Sequence, residues 1–409
     1  MELDPKLLAQ IEAIAKEAKQ KKPANYIRVG VDYFKLIRKP DRFKIDRIEL
    51  KKWSIEAIKL DEGRKYPKKI LKYDDFIIVP NNNGASKIVN NCYNMYHDFP
   101  HTPKQGSWPW TFILLKQIFG TQFKTGMQYL KVMFENPERI LPILVIVSEQ
   151  RQTGKSTFLD WLNMLFGANM VMIEPDVVGS TFNGEYATAN IIGIDETILD
   201  KQIAVEKIKS LATKKFISVN IKNVQQFKVP FFGKIILASN NEDKFMRIED
   251  AEIRFWIRKL GTPRIENHNI LNDMVSEIPG FLHYLANMPE IDFTRSRMVF
   301  TTEQIKNKWL EDVKKESRSW LHKELIELFD AYFEENDKPY IYARPKDMKD
   351  FWFAHNNQVQ INYIRHVLKK EMQLSTSIRG RYNASLCLRD TEINGHPFMI
   401  EPQNVRKQF

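Results

Sequence analysis

The chain has 409 residues, 43% of them apolar and 12% aromatic, which is enough to build cores and excludes a disordered polyelectrolyte. Its length points to two or three domains, and its only cysteines, Cys92 and Cys387, exclude a disulfide framework and a four-cysteine zinc site and point to a reducing compartment. Sixty-two Lys and Arg against 51 Asp and Glu give a net charge of +11, which favours polyanions as partners because each neutralised phosphate releases a condensed counterion, and equally describes a Lys-rich wet surface.

The opening stretch has a helical stripe at Leu7, Leu8, Ile11, Ile14 and Ala18, ended by Pro23, and lacks the apolar core of a secretion signal. YIRVGVDYFKLI and FKIDRIELKKW, separated by Lys39-Pro40, read as β-rich, and 53–103 reads as mixed and loop-rich with a turn at PNNNGAS. Between Trp110 and Glu138 the spacing of Phe112, Leu115, Ile118 and Phe119, then Met127, Leu130, Val132 and Phe134, predicts two or three short helices. The longest apolar run, ILPILVIV from Ile140, is too short to cross a bilayer, and no membrane partner is expected. From Ile143 to about Gly261, strand-like runs alternate with helical ones, the signature of an α/β fold with a parallel sheet.

Beyond that point, ILNDMVSEIPGFLHYLANM reads as a helical lid, and Glu303 to Asn336 as a long charged helical stretch. From Tyr340 on, KDMKDFWFAHN and NYIRHVLKKEM read as helices and SIRGRYNASLCLRDTEINGHPFMI as a hairpin with Asn394-Gly395 near a turn. Helix, helix, hairpin is the order of a winged helix. In its second helix Ile364, Val367 and Leu368 are expected to face inward and Arg365, Lys369 and Lys370 outward, where they either touch nucleic acid or are simply solvated.

The chemistry concentrates in LVIVSEQRQTGKSTFLDWL, from Leu144 to Leu162. A buried-strand run breaks into a polar loop ending in Gly154, Lys155 and Ser156 and then launches a helix in which Leu159, Leu162 and Phe166 share a face and Gly167 is placed as C-cap. That is the second half of a phosphate-binding loop, in which backbone N–H groups and the helix N-terminus hold the phosphates, although Glu149 stands where the first glycine is expected. ANIIGIDET ends a strand-like run in Asp195-Glu196, either two solvated acids where a strand leaves the core or the pair such a site needs near Mg²⁺ and the attacking water. GKIILASNN ends another in Ser239, Asn240 and Asn241, amides that can hold a phosphate or a water without adding charge. In DAEIRFWIRKL, Arg254 and Arg258 suit the charge that builds up in phosphoryl transfer, or pair with Glu249, Asp250 or Glu252.

In order and spacing these motifs resemble superfamily 3 helicases, AAA+ ATPases of small DNA viruses, phages and plasmids, and above all the helicase part of phage and plasmid primase-helicases. The resemblance is good over 110–290, weaker in the tail and absent as a motif match in the first hundred residues. It implies that Gln152, Thr153, Gly154, Lys155, Ser156 and Thr157 contact ATP, that Ser156 and Asp195 serve Mg²⁺, that Glu196 is the catalytic base, and that Asn240 is the sensor. IRFWIRKL resembles an arginine-finger strand, which implies that Arg254 reaches a neighbouring subunit in a ring, expected to be a hexamer. The family also carries a pore hairpin between the acids and the sensor strand. In KSLATKKFISVNIKNVQQFKVPFFG, Lys222 is the leading DNA contact at the tip, around Asn223 to Gln226, with Lys214, Lys215 and Lys228 behind it.

The domain reading is 1–105 as a mixed α/β N-terminal region, 106–140 as a helical collar, 141–295 as the AAA+ core and 296–409 as a helical linker with a winged-helix-like domain. The function expected is an ATP-dependent, ring-forming DNA helicase acting on single-stranded or forked DNA in phage or mobile-element replication, in the cytoplasm of a bacterial or phage-infected cell. The first hundred residues contain no recognisable primase site, so primase activity would come from a separate partner. Two other readings are a DNA-binding initiator or regulator with the ATPase core as a nucleotide switch, and an AAA+ ATPase acting on protein partners.

Overall fold

The computed structural model describes residues 26–150, 152–195, 202–222, 224–240, 252–261, 267, 269–293, 296–317, 319–336, 338–354, 356, 359–377, 379–386 and 392–406. The expected helix over 5–22 lies outside them. The described chain forms two compact units, one built from residues up to 240 with 253–310 and the other from 311 onward.

The first unit begins with β1 (Tyr26–Val29), β2 (Asp32–Pro40) and β3 (Asp46–Trp53), which join β4 (Leu71–Tyr73) in a sheet of order β3-β2-β1-β4. The β2–β3 ribbon is long, with eight facing pairs from Tyr33↔Trp53 to Pro40↔Asp46. Ser54 starts α1 (Ile55–Glu62) by accepting from the Ala57 N–H at 3.1 Å. A small second sheet follows, β5 (Phe76–Ile77), β6 (Ile88–Val89) and β7 (Cys92–Asn94). Two helices, α2 (Pro109–Phe119) and α3 (Phe123–Glu135), then lead into the central sheet.

That sheet contains β8 (Ile143–Val147), β9 (Met170–Met172), β10 (Ile191–Ile194), β13 (Lys234–Ser239) and β14 (Phe255–Lys259), all parallel and in the order β14-β8-β13-β10-β9. The expectation of an α/β fold with a parallel core is met. Because helices cover both faces, β8, β10 and β13 are buried at every position, and they read as continuous apolar runs rather than alternating ones. The helix that follows β8, α4 (Lys155–Phe166), buries Phe158, Leu159, Trp161, Leu162, Leu165 and Phe166, and Gly167 caps it at φ 56°. Large side chains of this kind contribute roughly 1.5–3 kcal/mol each on full burial. After α5 (Gln202–Leu211), the hairpin β11 (Phe216–Val219) and β12 (Phe227–Pro230) forms a sheet of its own, with Val219 facing Phe227.

The segment expected to be a lid is α6 here (Ile270–Ala286), and it belongs to the core. Met274, Ile278, Phe281, Leu282 and Leu285 are all fully buried, and the helix packs on α2 and α4. Its Glu277 carboxylate accepts from the N–H groups of Trp110 (3.1 Å) and Thr111 (2.8 Å), neutralising the positive end of α2. A lid would have needed a wet face where this helix carries aromatic and aliphatic side chains.

The second unit has its own core. Leu321, Leu325 and Phe329 of α7 (Trp320–Asn336) pack with Ile341 of β15 (Ile341–Ala343), with Met348 of α8 (Pro345–Trp352), and with Ile364, Val367 and Leu368. Those last three sit on α9 (Ile361–His366) and on the π-helical turn that continues it, Val367–Glu371, facing inward as the sequence predicted. The terminal strands are β16 (Gly380–Asn383), β17 (Glu392–Gly395) and β18 (Phe398–Ile400). Gly395 faces Gly380, and Asn394 faces Arg381. Asn394-Gly395 therefore ends a strand, and the hairpin's connection falls between Asn383 and Glu392 instead of at that dipeptide.

Candidate functional site

Three strand ends meet at one edge of the parallel sheet. Register places Ser239 opposite Val147 and Ile194 opposite Leu237, so the loop after β8, Asn240 after β13 and Asp195 after β10 all emerge on the carboxyl side. Neighbouring strands lie ~4.8 Å apart, which puts the β8 and β10 ends ~10 Å from each other with Asn240 between them. Connections leave β8 toward the far edge and return from β13 to β14 across it, and such a reversal opens a crevice at the strand ends where α/β sheets bind ligands.

The loop itself is tightly built. Ser148 donates its N–H to the Ser239 carbonyl (3.1 Å), tying the loop's start to the end of β13. Gln152 has φ 59° and Gly154 has φ 91°, so two left-handed residues turn the chain where the sequence shows one glycine. Gln117 of α2 donates its amide to the Thr153 carbonyl at 2.9 Å, a brace that no motif announces. Lys155 is buried, and its ammonium donates to the carbonyls of Ser148 (3.0 Å) and Gln150 (3.3 Å) and to Thr153 Oγ1 (3.3 Å). Ser156 is exposed and Thr157 half-buried in the first turn of α4. That turn contains no acidic residue and Gly154 has no side chain to cap it, which suits an anion at the helix start.

The structure thus brings Lys155, Ser156, Asp195 and Asn240 to one edge. It does not bring Arg254 there. Arg254 immediately precedes β14, its carbonyl accepts from Ile143 N–H (2.8 Å), and its guanidinium donates to the Lys209 carbonyl (3.2 Å). It lies at the amino end of the sheet, six residues or ~20 Å of strand from the loop of the same chain. Glu196 lies outside the described residues. Arg258 is committed to structure: buried, it donates to the carbonyls of Ile118 (3.1 Å) and Phe119 (2.7 Å) at the end of α2 and to Gln122, and burial lowers its pKa to about 10.

Lys222 is exposed in the connection between β11 and β12, Lys214 and Lys215 are exposed just ahead of β11, and exposed Lys228 lies over the Phe216 ring at 5.1 Å. Asn183 fastens the hairpin by donating to the Ser218 carbonyl (2.9 Å) and accepting from Asn220 N–H (2.8 Å).

A cavity of 1140 Å³ lies beside the loop and is lined by the tip of the β2–β3 ribbon together with Asp160, Asp195 and Lys222, but by none of Gln152 to Thr157. The loop after β8 takes no part in its wall. Sequence reading missed how the ribbon is held there. Arg42 pairs with Asp160 on α4 (2.6 Å), while Arg47 donates to Asn163 (2.7 Å), to the Met170 carbonyl (2.5 Å) and to Asp41 (3.1 Å). Burial and the nearby Asp195 carboxylate raise the Asp160 pKa, against the pull of Arg42.

Among the described residues no group of three or more His, Cys, Asp or Glu side chains is arranged to hold a metal. The Ser156 hydroxyl and one carboxylate fit Mg²⁺ all the same, since that ion keeps several waters and binds through one or two carboxylates plus substrate phosphates.

Comparison with known structures agrees with the fold class seen here: an α/β protein with a five-stranded parallel central sheet and a smaller C-terminal region of helices and strands. Three structures of the apo C-terminal region of NrS-1 resemble the chain. One has TM-score 0.63 at 16% identity, covering 88% of this chain and 94% of its own. The other two, in the A form, have TM-scores of 0.62 and 0.64 at 16% and 14% identity and cover 95% of this chain and 98% of theirs. A family of unknown function, DUF5906, matches residues 146–254, from within β8 to the residue before β14. Among curated proteins none matches. No helix among the described residues is long and apolar enough to cross a membrane.

Proposed function

We propose that the protein is an ATP-dependent DNA helicase of the superfamily 3 type, an AAA+ ring, expected to be a hexamer, that moves along single-stranded DNA. One observation carries the reading: a strand–loop–helix element with a buried lysine shares a sheet edge with a carboxylate and an amide from the next core strands. Lys155 and the N–H groups opening α4 receive the ATP phosphates, with Gln152, Thr153, Gly154 and Thr157 shaping the loop around them. Ser156 and Asp195 hold Mg²⁺, which when bound neutralises charge on the transferring phosphoryl group. Glu196 deprotonates the attacking water, and Asn240 orients water or phosphate by hydrogen bonding.

The remoteness of Arg254 from its own loop supports a role in trans, in which it completes the site of the next subunit. The exposure of Lys222 in the connection of the β11–β12 hairpin supports it as a backbone contact, with Lys214, Lys215 and Lys228 nearby; a cation there grips phosphate whatever the base. The second unit, whose order is helix, strand, helix, helix and strands, is read as winged-helix-like.

The test is ATP turnover with and without single-stranded DNA. Turnover should rise with DNA and fall to background in Lys155→Ala and in Arg254→Ala. Mixing those two variants should restore part of it, because a Lys155→Ala subunit still lends its arginine to an intact loop. Unwinding of a forked duplex separates the motor from a nucleotide switch, and turnover indifferent to DNA would point to a protein substrate. Failure of the wild-type chain to retain or cleave ATP would remove the reading altogether.

A further inference from the structure

The second unit carries a cationic surface that the motor reading does not use. From Ile361 to Tyr382 there are five arginines and lysines and one acid. Arg365, Lys369, Lys370, Arg379 and Arg381 are all exposed. The single acid, Glu371, is turned away: its carboxylate accepts from the Ser319 N–H (3.1 Å) and hydroxyl (2.8 Å) and lies 3.4 Å from buried His322. Arg365 donates to Asn362 one turn earlier (2.6 Å), a neutral partner. None of the other four is in an ion pair among the described residues. Cations left together without acids repel one another, so a surface that keeps them has a polyanion to meet.

The backbone explains how Arg365, Lys369 and Lys370 come to share a face. Residues Val367–Glu371 form a π-helical turn, closed by the Met372 N–H on the Val367 carbonyl at 2.9 Å. Such turns are rare and concentrate at functional positions. Widening the turn keeps Val367, Leu368 and Met372 buried, while Arg365, Lys369 and Lys370 line up outside. The outward positions carry no exposed aromatic platform, since Tyr363 packs toward the core, and single-strand surfaces depend on such platforms. Nor do they carry the apolar stripe a membrane-surface helix needs. A polar, cationic helix suits the major groove of a duplex, which is ~12 Å wide and admits one helix between two rows of phosphates.

We infer that the outer face of 361–371 is a binding surface for the backbone of double-stranded DNA. This goes beyond the motor reading and holds whether or not the loop after β8 cleaves ATP.

The test uses the full chain and a blunt duplex, with a single strand of the same length as comparison, in a salt series followed by fluorescence anisotropy. Each phosphate contact removed flattens the slope of log K against log salt by ~0.9. In a variant carrying Arg365→Ala, Lys369→Ala and Lys370→Ala, the duplex slope should be shallower by ~2 to 3, and duplex affinity at 0.1 M salt weaker by on the order of 100-fold. Arg365→Lys alone should keep the slope, and the melting temperature of the triple variant should match wild type, which excludes misfolding. Wild-type protein that fails to bind the duplex, an unchanged slope in the triple variant, or a loss confined to the single strand would each overturn the inference. Lys155→Ala, run alongside for ATP turnover, reports on the motor reading separately.

Discussion

The Lys155 ammonium makes a sharp prediction because it braces the very loop that it should serve. It holds two carbonyls and a hydroxyl inside a buried turn. Lys155→Ala leaves the carbonyls of Ser148 and Gln150 without this donor, at a cost of roughly 1–3 kcal/mol. The nucleotide-free variant should therefore melt lower than wild type by ~2–6 °C, taking ~2 °C per kcal/mol for a large unit. A non-hydrolysable ATP analogue with Mg²⁺ at a hundred times its Kd should stabilise wild type by ~2.7 kcal/mol, a rise of ~5 °C, and should leave the variant unmoved. Calorimetry with and without the analogue gives both readings. A variant that melts like wild type without nucleotide and rises as far with it would refute the argument, since Lys155 would then neither brace the loop nor bind phosphate.

Three further outcomes can be checked by urea unfolding. Gly154→Ala forces a side chain onto φ 91° and brings its Cβ within 2.7 Å of Leu114 Cδ1; a loss of ~2–4 kcal/mol is expected, part of it recovered when the Leu114 side chain is also truncated. Glu277→Ala removes the carboxylate that receives two N–H groups at the start of α2 and should cost ~2–4 kcal/mol, with Glu277→Gln nearer 1 because an acceptor remains. Burial pulls the Lys234 ammonium down to about 7, below its unfolded value of ~10.4. Between those values the unfolded chain binds more protons than the folded one, so stability should rise with pH from about 7 toward 10, and Lys234→Met should flatten that rise.

Much of the core was legible because its signals are local. The β8 run, the glycine before Lys155 and the face formed by Leu159, Leu162 and Phe166 lie within twenty-odd consecutive residues, and each reports its own conformation. The outward cations of 361–371 were legible for the same reason. Strand order was not, because it is decided by which helix covers which face, and β9 is only three residues long. The left-handed Gln152 gave no sign, since glycine is the residue that advertises such a turn. Gln117, Arg42 and Arg47 act on residues from 36 to 123 positions away, and nothing in their neighbours marks them out. The segment containing Met274 and Phe281 was misread as a lid because amphipathic periodicity cannot tell a helix covering a crevice from one packed between other helices.

The grip of Arg47 has a mechanical consequence. One guanidinium holds a side chain of α4, a carbonyl at the first residue of the edge strand and a carboxylate of its own ribbon. The N-terminal ribbon is thereby an outrigger bolted to the helix that begins at Lys155. Any tilt of that helix is carried outward along a lever eight residue pairs long, so under the proposed motor reading the ribbon would register a change at the loop without touching it.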